Sequence, residues 1–242
     1  MNPYLISSLI IAAACLLGYL LGSVPTGVVI GKVFFHKDPR DYYSHNSGGT
    51  NVGRVFGKKI GRLCIFLDMS KAIIALYVAF LVVRFTGLIA YFQWFDGAYD
   101  ATPIAYWGAG LFAAVGHCFS IFLGFKGGKA VACFAGLNIA VSWFVVIIGI
   151  ISYFGVKSIK GIVSIASLTL ATTATITHWV LALVGFFSGF NVSIFNWSFG
   201  ANAIPVFGFE AATVMTIMAI IIFVRHIPNI KRLMEGTELT AK

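Results

Sequence analysis

Two lysines flank a pair of glycines in Gly124-Phe125-Lys126-Gly127-Gly128-Lys129, a turn set between two long apolar runs. Glycines allow successive backbone N–H groups to converge on one cluster of oxygens, and a helix beginning just beyond them, near Ala130, would add the positive end of its dipole. Such a turn suits an anion, and phosphate is the obvious guest. Taken alone, it reads equally well as a basic loop whose lysines only set membrane orientation.

Two more polar clusters stand beside apolar runs. Ser44-His45-Asn46-Ser47-Gly48-Gly49-Thr50-Asn51-Val52-Gly53-Arg54 gathers small hydrogen-bonding side chains and closes on an arginine, and His226-Ile227-Pro228-Asn229-Ile230-Lys231-Arg232 is followed by Glu235 and Glu238. Phosphate recognition needs permanent cations with neutral donors, and carbonyl chemistry needs donors aimed at a developing oxyanion. The clusters supply both. The glycine turn is not a Walker A loop, since it has one residue too few between its glycines and Ala130 stands where a magnesium-holding Ser/Thr would be. No metal-ligand spacing is visible, so neither metal nor cofactor is expected.

The elements that must position these clusters are membrane helices. The chain has 242 residues, 59% of them hydrophobic and 10% charged. Its mean hydropathy is +0.93. That is more apolar surface than a soluble domain of this size could bury. Apolar runs lie at about 4–31, 63–83, 103–125, 130–154, 161–187 and 206–224. The first follows an uncharged start and is read as a retained span. Net charge +9 sits in short loops without an aromatic-interleaved basic module, which speaks against nucleic acid. Lys32, Lys37, Arg40, Arg54, Lys58, Lys59 and Arg62 place the second segment in the cytoplasm, whereas Thr86 to Thr102 has no Lys or Arg and is expected outside. Lys126 and Lys129 then return to the cytoplasm, as does the tail with Arg225, Lys231 and Arg232. Three runs between two cytoplasmic points violate parity. Either one run is re-entrant, or the 130–227 region folds into four shorter or broken passes, with Gly136, Gly149, Gly155, Gly161 and Gly185 as places to break. An all-α polytopic bundle with an external N-terminus and an odd count is expected, seven passes with short or broken ones included, as a single domain over 1–242. The G-x-x-x-G spacings at Gly18/Gly22, Gly27/Gly31 and Gly53/Gly57/Gly61 read as close helix packing.

At this point the residues resemble a known family, the bacterial membrane-embedded acyl-phosphate:glycerol-3-phosphate acyltransferases of the PlsY type. Gly22-Ser23-Val24-Pro25-Thr26-Gly27 is similar to its G-S-x-P-x-G. Ser44-x-Asn46-x-Gly48-x-Thr50-Asn51-x-x-Arg54 resembles its first catalytic motif, followed by Gly57-Lys58-Lys59 and the Asp68-x-x-Lys71 pair. Gly116-His117-x-Phe119 and Phe125-Lys126-Gly127-Gly128-Lys129-x-Val131-Ala132 resemble the glycine-loop motif. Arg225-His226-x-x-Asn229-Ile230-x-Arg232-Leu233 with Gly236-Thr237-Glu238 resembles the terminal one. The likeness runs in order from about Gly18 to Glu238. Three departures stand out: His45 and Ala130 where glycine is common, and Ser120 where proline is common.

The resemblance implies transfer of a fatty acyl group from acyl phosphate to the 1-hydroxyl of glycerol 3-phosphate, with membrane lipid as the remaining partner and no obligate protein partner. It implies catalytic roles for Ser44, Arg54, Lys126, Lys129, His226 and Asn229. Substrate or phosphate contacts fall to Asn46, Gly48, Thr50, Asn51, Gly127, Gly128 and Arg232, although Asn46, Thr50 and Asn51 read equally well as stabilisers of the turn. Asp68 and Lys71, three apart on one helix face, are read as a structural ion pair. His117 is expected to bond a backbone carbonyl near the turn, and Glu238 to pin the tail through Arg232 or Lys231. The base that takes the hydroxyl proton is left open between His226 and a substrate phosphate oxygen. The implied location is a bacterial cytoplasmic (inner) membrane, with active site and C-terminus on the cytoplasmic side. Rival readings are an anion transporter, which needs polar clusters on both sides, and a lipid-binding scaffold, which has no use for Ser44, His226 and Asn229 together.

Overall fold

The computed structural model describes residues 2–197 and 208–240. Nearly all of them are helical, and the chain divides into two compact units, Met1–Gly128 and Lys129–Lys242.

In the first unit, α1 (Pro3–Ser23) begins where Asn2 Oδ1 accepts the Tyr4 N–H at 2.9 Å. Pro3 sits in its first turn, where a missing N–H costs nothing. The run at 4–31, expected as one span, is built from two helices that together form one candidate span, Pro3–Phe35. Pro25 lacks an N–H and disfavours helix at the residue before it, so α1 stops and α2 (Thr26–Phe35) restarts after the proline. A half-buried loop leads to α3 (Gly49–Phe56), and Gly57, at φ 98, turns the chain into α4 (Lys58–Phe85). A small hairpin follows, β1 (Gln93–Trp94) antiparallel to β2 (Tyr99–Asp100). It is tied to the start of α1, where Trp94 Nε1 donates to Ser7 Oγ at 3.0 Å and Tyr4 Oη accepts from Phe95 N at 3.1 Å. The last helix, α5 (Thr102–Cys118), ends short of the expected 125 and passes into a 3-10 turn at Ile121–Leu123. α1 and α5 touch backbone to backbone. A Cβ on Gly18 or Gly22 would run into the carbonyls of Ala109 and Ala113. A larger residue there would cost roughly 1–3 kcal/mol in forced separation.

In the second unit the run at 130–154 is two helices as well, α6 (Val131–Val141) and α7 (Trp143–Lys160). The break is Ser142, not Gly136, Gly149 or Gly155. Ser142 adopts an extended conformation, caps α7 by accepting from Val145 N at 3.2 Å, and donates its hydroxyl to Phe195 O at 2.8 Å. Gly161, at φ 65, does end α7, and α8 (Val163–Ser188) follows. α9 (Phe209–Arg225) and α10 (Ile227–Met234) meet at a 51° bend, with Pro228 in the first turn of α10. The first residues of the expected 206–224 run lie outside the described residues.

The two ends of α6 are held by different groups. Trp197 Nε1 donates to Ile139 O at 2.6 Å and Trp143 Nε1 to Ile194 O at 3.2 Å, so the end of α6 and the start of α7 lie beside the segment after α8. Lys129, two residues before α6, is held by α10 instead. Midway, Asn138 Oδ1 lies 2.9 Å from His178 Nε2, joining α6 to α8. Among the described residues, five segments are long and apolar enough to cross a membrane, six if the bent α9–α10 pair counts as one, with α6 as a shorter apolar helix.

Candidate active site

Asn51 organises the first polar cluster. It sits on α3 and is 1% exposed. Its Nδ2 donates to the carbonyls of Pro39 at 2.7 Å, Asn46 at 2.9 Å and Tyr42 at 3.2 Å. Its Oδ1 accepts from Ser44 N at 3.1 Å and from Ser44 Oγ at 2.9 Å. One side chain thus fastens the 39–46 loop to the helix that carries Arg54, three residues further on and half-buried. The amide is fully used inside the loop, which matches the turn-stabilising reading of Asn51 and leaves it no atom for substrate. Asn46 acts in the same way, its Oδ1 accepting from Gly48 N at 2.8 Å across the turn. Thr50 is exposed on the first turn of α3. His45 adopts the left-handed conformation at φ 52, and its Nδ1 lies 2.8 Å from Arg40 O. Arg40 in turn grips Asp38 at 3.0 and 2.7 Å and holds that carboxyl below the ordinary range.

The glycine turn differs from the expected anion nest. The amides of Gly127 and Gly128 donate back to Cys118 O at 3.0 Å and His117 O at 2.8 Å, and those of Phe125 and Lys126 donate to Ser120 O and Leu123 O. These N–H groups close the turn onto the end of α5 instead of converging on a guest. Glycine is needed here for packing: a Cβ on Gly127 would meet His117 O, and one on Gly128 would land on the His117 imidazole. The expected helix does begin directly afterwards, at Val131, with Ala130 left-handed at φ 61. Lys126 is exposed.

Beneath that turn lies the pair read as structural. Lys71 Nζ is 2.9 Å from Asp68 Oδ1, and both residues are buried. His117 Nδ1 faces the same oxygen at 3.5 Å, so the imidazole turns this nitrogen toward the carboxylate. Thr26, to which sequence reasoning gave no role, donates its hydroxyl to that oxygen at 2.9 Å; its place just after Pro25 in a family motif was the available signal. Lys71 also donates to Val24 O at 3.1 Å, a carbonyl at the break before Pro25 that accepts from Thr26 N as well.

In the second unit a continuous chain of hydrogen bonds links residues about a hundred positions apart. Lys129 Nζ donates to Asn229 Oδ1 at 2.5 Å, Asn229 Nδ2 donates to Glu238 Oε1 at 2.5 Å, and Arg232 Nε donates to Glu238 Oε2 at 2.7 Å. Glu238 therefore reaches Arg232, as expected of a tail pin, and Arg232 is engaged in an ion pair where a phosphate contact was expected. Burial alone would raise the Glu238 carboxyl, but the hydrogen bonds from Asn229 and Arg232 outweigh it and hold the group below its ordinary value. His226 occupies the α9–α10 bend, 3% exposed, with Nδ1 at 2.7 Å from Ile222 O. A carbonyl only accepts, so Nδ1 carries the proton and the neutral ring presents its lone pair at Nε2. Among the described residues no group of three or more His, Cys, Asp or Glu could hold a metal ion.

Residues 12–236 match the family model described as glycerol-3-phosphate acyltransferase. The chain belongs to that family. Among similar members, the glycerol-3-phosphate acyltransferase of Staphylococcus haemolyticus is 33% identical over 95% of this chain and 97% of its own. That of Streptococcus sanguinis is 32% identical over 92% and 88%. Two crystal structures of PlsY (YgiH), an integral membrane glycerol 3-phosphate acyltransferase, in its glycerol 3-phosphate and lysophosphatidic acid forms, superpose with TM-scores of 0.69 and 0.68 at 28% and 29% identity, covering 95% of this chain and 94% of theirs. This family member is an all-α integral membrane acyltransferase, and the matched region takes in every polar cluster described above except Glu238, two residues beyond its end.

Proposed function

We propose that this acyltransferase moves a fatty acyl group from acyl phosphate to the 1-hydroxyl of glycerol 3-phosphate, releasing inorganic phosphate and 1-acyl-glycerol 3-phosphate for phospholipid synthesis. The hydroxyl oxygen bonds to the acyl carbon, the carbon–oxygen bond to phosphate breaks, and the phosphate leaves with that electron pair. The observation that carries this reading is the Lys129–Asn229–Glu238–Arg232 chain, because it holds a cation of the glycine-loop motif on the residues of the terminal motif.

Acyl phosphate is already an activated mixed anhydride, so positioning and charge neutralisation can supply most of the acceleration. Arg54, Lys126 and Lys129 neutralise phosphate, with Arg54 suited to a planar two-point grip. Asn229 orients Lys129. The hydroxyl proton goes to His226 Nε2 or to a phosphate oxygen of the substrate, and His226→Ala separates the two: loss of kcat in a folded variant assigns it to the imidazole, unchanged kcat to phosphate.

Seven passes in a bacterial cytoplasmic membrane, N-terminus outside and polar clusters and C-terminus in the cytoplasm, accommodate the observed helices when α6 counts as a short pass. Lys157 and Lys160, at the end of α7, then form a further basic cytoplasmic turn and parity is restored. Purified protein given acyl phosphate and labelled glycerol 3-phosphate should form labelled 1-acyl-glycerol 3-phosphate. Folded protein yielding none would overturn the assignment.

A further inference from the structure

We infer that Ser44 enters the reaction through the lone pairs of Oγ, accepting a hydrogen bond from a hydroxyl of glycerol 3-phosphate, and neither donates to phosphate nor forms an acyl-serine. This rests on glycerol 3-phosphate being the substrate. The geometry that fixes it is the orientation of Asn51. Three carbonyls, which can only accept, surround one terminal atom of its amide at 2.7, 2.9 and 3.2 Å, so that atom is the NH2 group. The other atom is therefore the oxygen, and it too can only accept. Ser44 Oγ, 2.9 Å away, must direct its hydrogen at it.

Two consequences follow for the half-buried hydroxyl. An amide oxygen is no base, so nothing in this arrangement removes the Ser44 proton, and nucleophilic attack from Oγ lacks the activation it needs. What Oγ still offers a substrate is lone pairs. Phosphate monoesters are largely dianionic near neutral pH, with a second pKa of about 6, and present acceptors too. Two acceptors repel. The hydroxyls of glycerol 3-phosphate are the donors that the substrates bring, and Ser44 holds one of them.

A substrate-by-variant comparison tests this in detergent-purified enzyme whose melting temperature shows that it is folded. Ser44→Ala should lower kcat/KM for glycerol 3-phosphate by about 2- to 10-fold, the range of one net hydrogen bond. The same variant is then compared with wild type on two analogues: 3-hydroxypropyl phosphate, which lacks the 2-hydroxyl, as substrate, and 2-hydroxypropyl phosphate, which lacks the 1-hydroxyl, as competitive inhibitor. The wild-type advantage should vanish for the analogue missing the hydroxyl that Ser44 holds and persist for the other. An equal loss for glycerol 3-phosphate, both analogues and propyl phosphate would place Ser44 on the phosphate and overturn the proposal. So would an unchanged kcat/KM, or a hydroxylamine-labile acyl group on Ser44 after acyl phosphate alone. Wild-type enzyme that fails to use glycerol 3-phosphate at all would instead refute the substrate assignment beneath it.

Discussion

The imidazole of His117 fills the space that any side chain on Gly128 would need. On its other side the same ring faces the buried carboxylate of Asp68 at 3.5 Å, so the position of the glycine turn is set from α4 through α5.

Gly128→Ala should therefore act by displacing His117. Overpacking of this kind costs roughly 1–3 kcal/mol. Thermal unfolding in detergent should show the loss, and adding His117→Ala should restore much of it by vacating the site. A destabilised double variant no better than Gly128→Ala would contradict the steric explanation.

Asp68 and Lys71 are coupled charges in a buried place. Removing one partner leaves the other uncompensated, and Asp68→Leu or Lys71→Met alone should cost about 3–5 kcal/mol. The double variant should lose less than the sum, because no buried charge remains. A thermal-melt cycle that came out additive would show the two charges to be independent.

Ala130 stands at φ 61, in the left-handed region. A left-handed residue with a Cβ costs about 1–2 kcal/mol, of which glycine gives back roughly 0.5–1 kcal/mol through its larger unfolded-state entropy. Ala130→Gly should stabilise the protein by up to about 1 kcal/mol. His45→Gly should gain less, since it also removes the contact between Nδ1 and Arg40 O. A lower melting temperature for Ala130→Gly would refute the strain.

The Glu238 carboxyl is held below its ordinary value, so its contribution to stability is complete above the unfolded carboxylate pKa and is lost as pH falls through the lower folded value. Glu238→Gln should melt below wild type at pH 7, and the gap should narrow on acidification. A gap that widened toward low pH would reverse the sign and exclude the pairing with Asn229 and Arg232.

Much of this architecture was legible in the sequence because hydropathy, glycine spacing and basic loops report directly on helices in a membrane. The G-x-x-x-G reading of Gly18 and Gly22 and the Asp68–Lys71 pair followed from helical spacing alone. The two halves of the 130–154 run were not legible: Ser142 ends α6 through a cap and a bond to Phe195, and hydropathy averages over a polar residue that is satisfied by a distant partner. Gly127 and Gly128 misled for a related reason. Glycine marks close approach of a backbone, but sequence does not say whether the neighbour is a phosphate or the end of α5. Asn51 was equally ambiguous, since its five hydrogen bonds depend on a loop conformation that holds Tyr43 and His45 at positive φ.

Donor choice tests the central claim most directly. Initial rates of 1-acyl-glycerol 3-phosphate formation by the purified enzyme should be measured with acyl phosphate, acyl-CoA and acyl carrier protein of matched chain length. Turnover with acyl phosphate and background rates with both thioesters is the expected result; turnover of acyl-CoA at a rate comparable to acyl phosphate would contradict it.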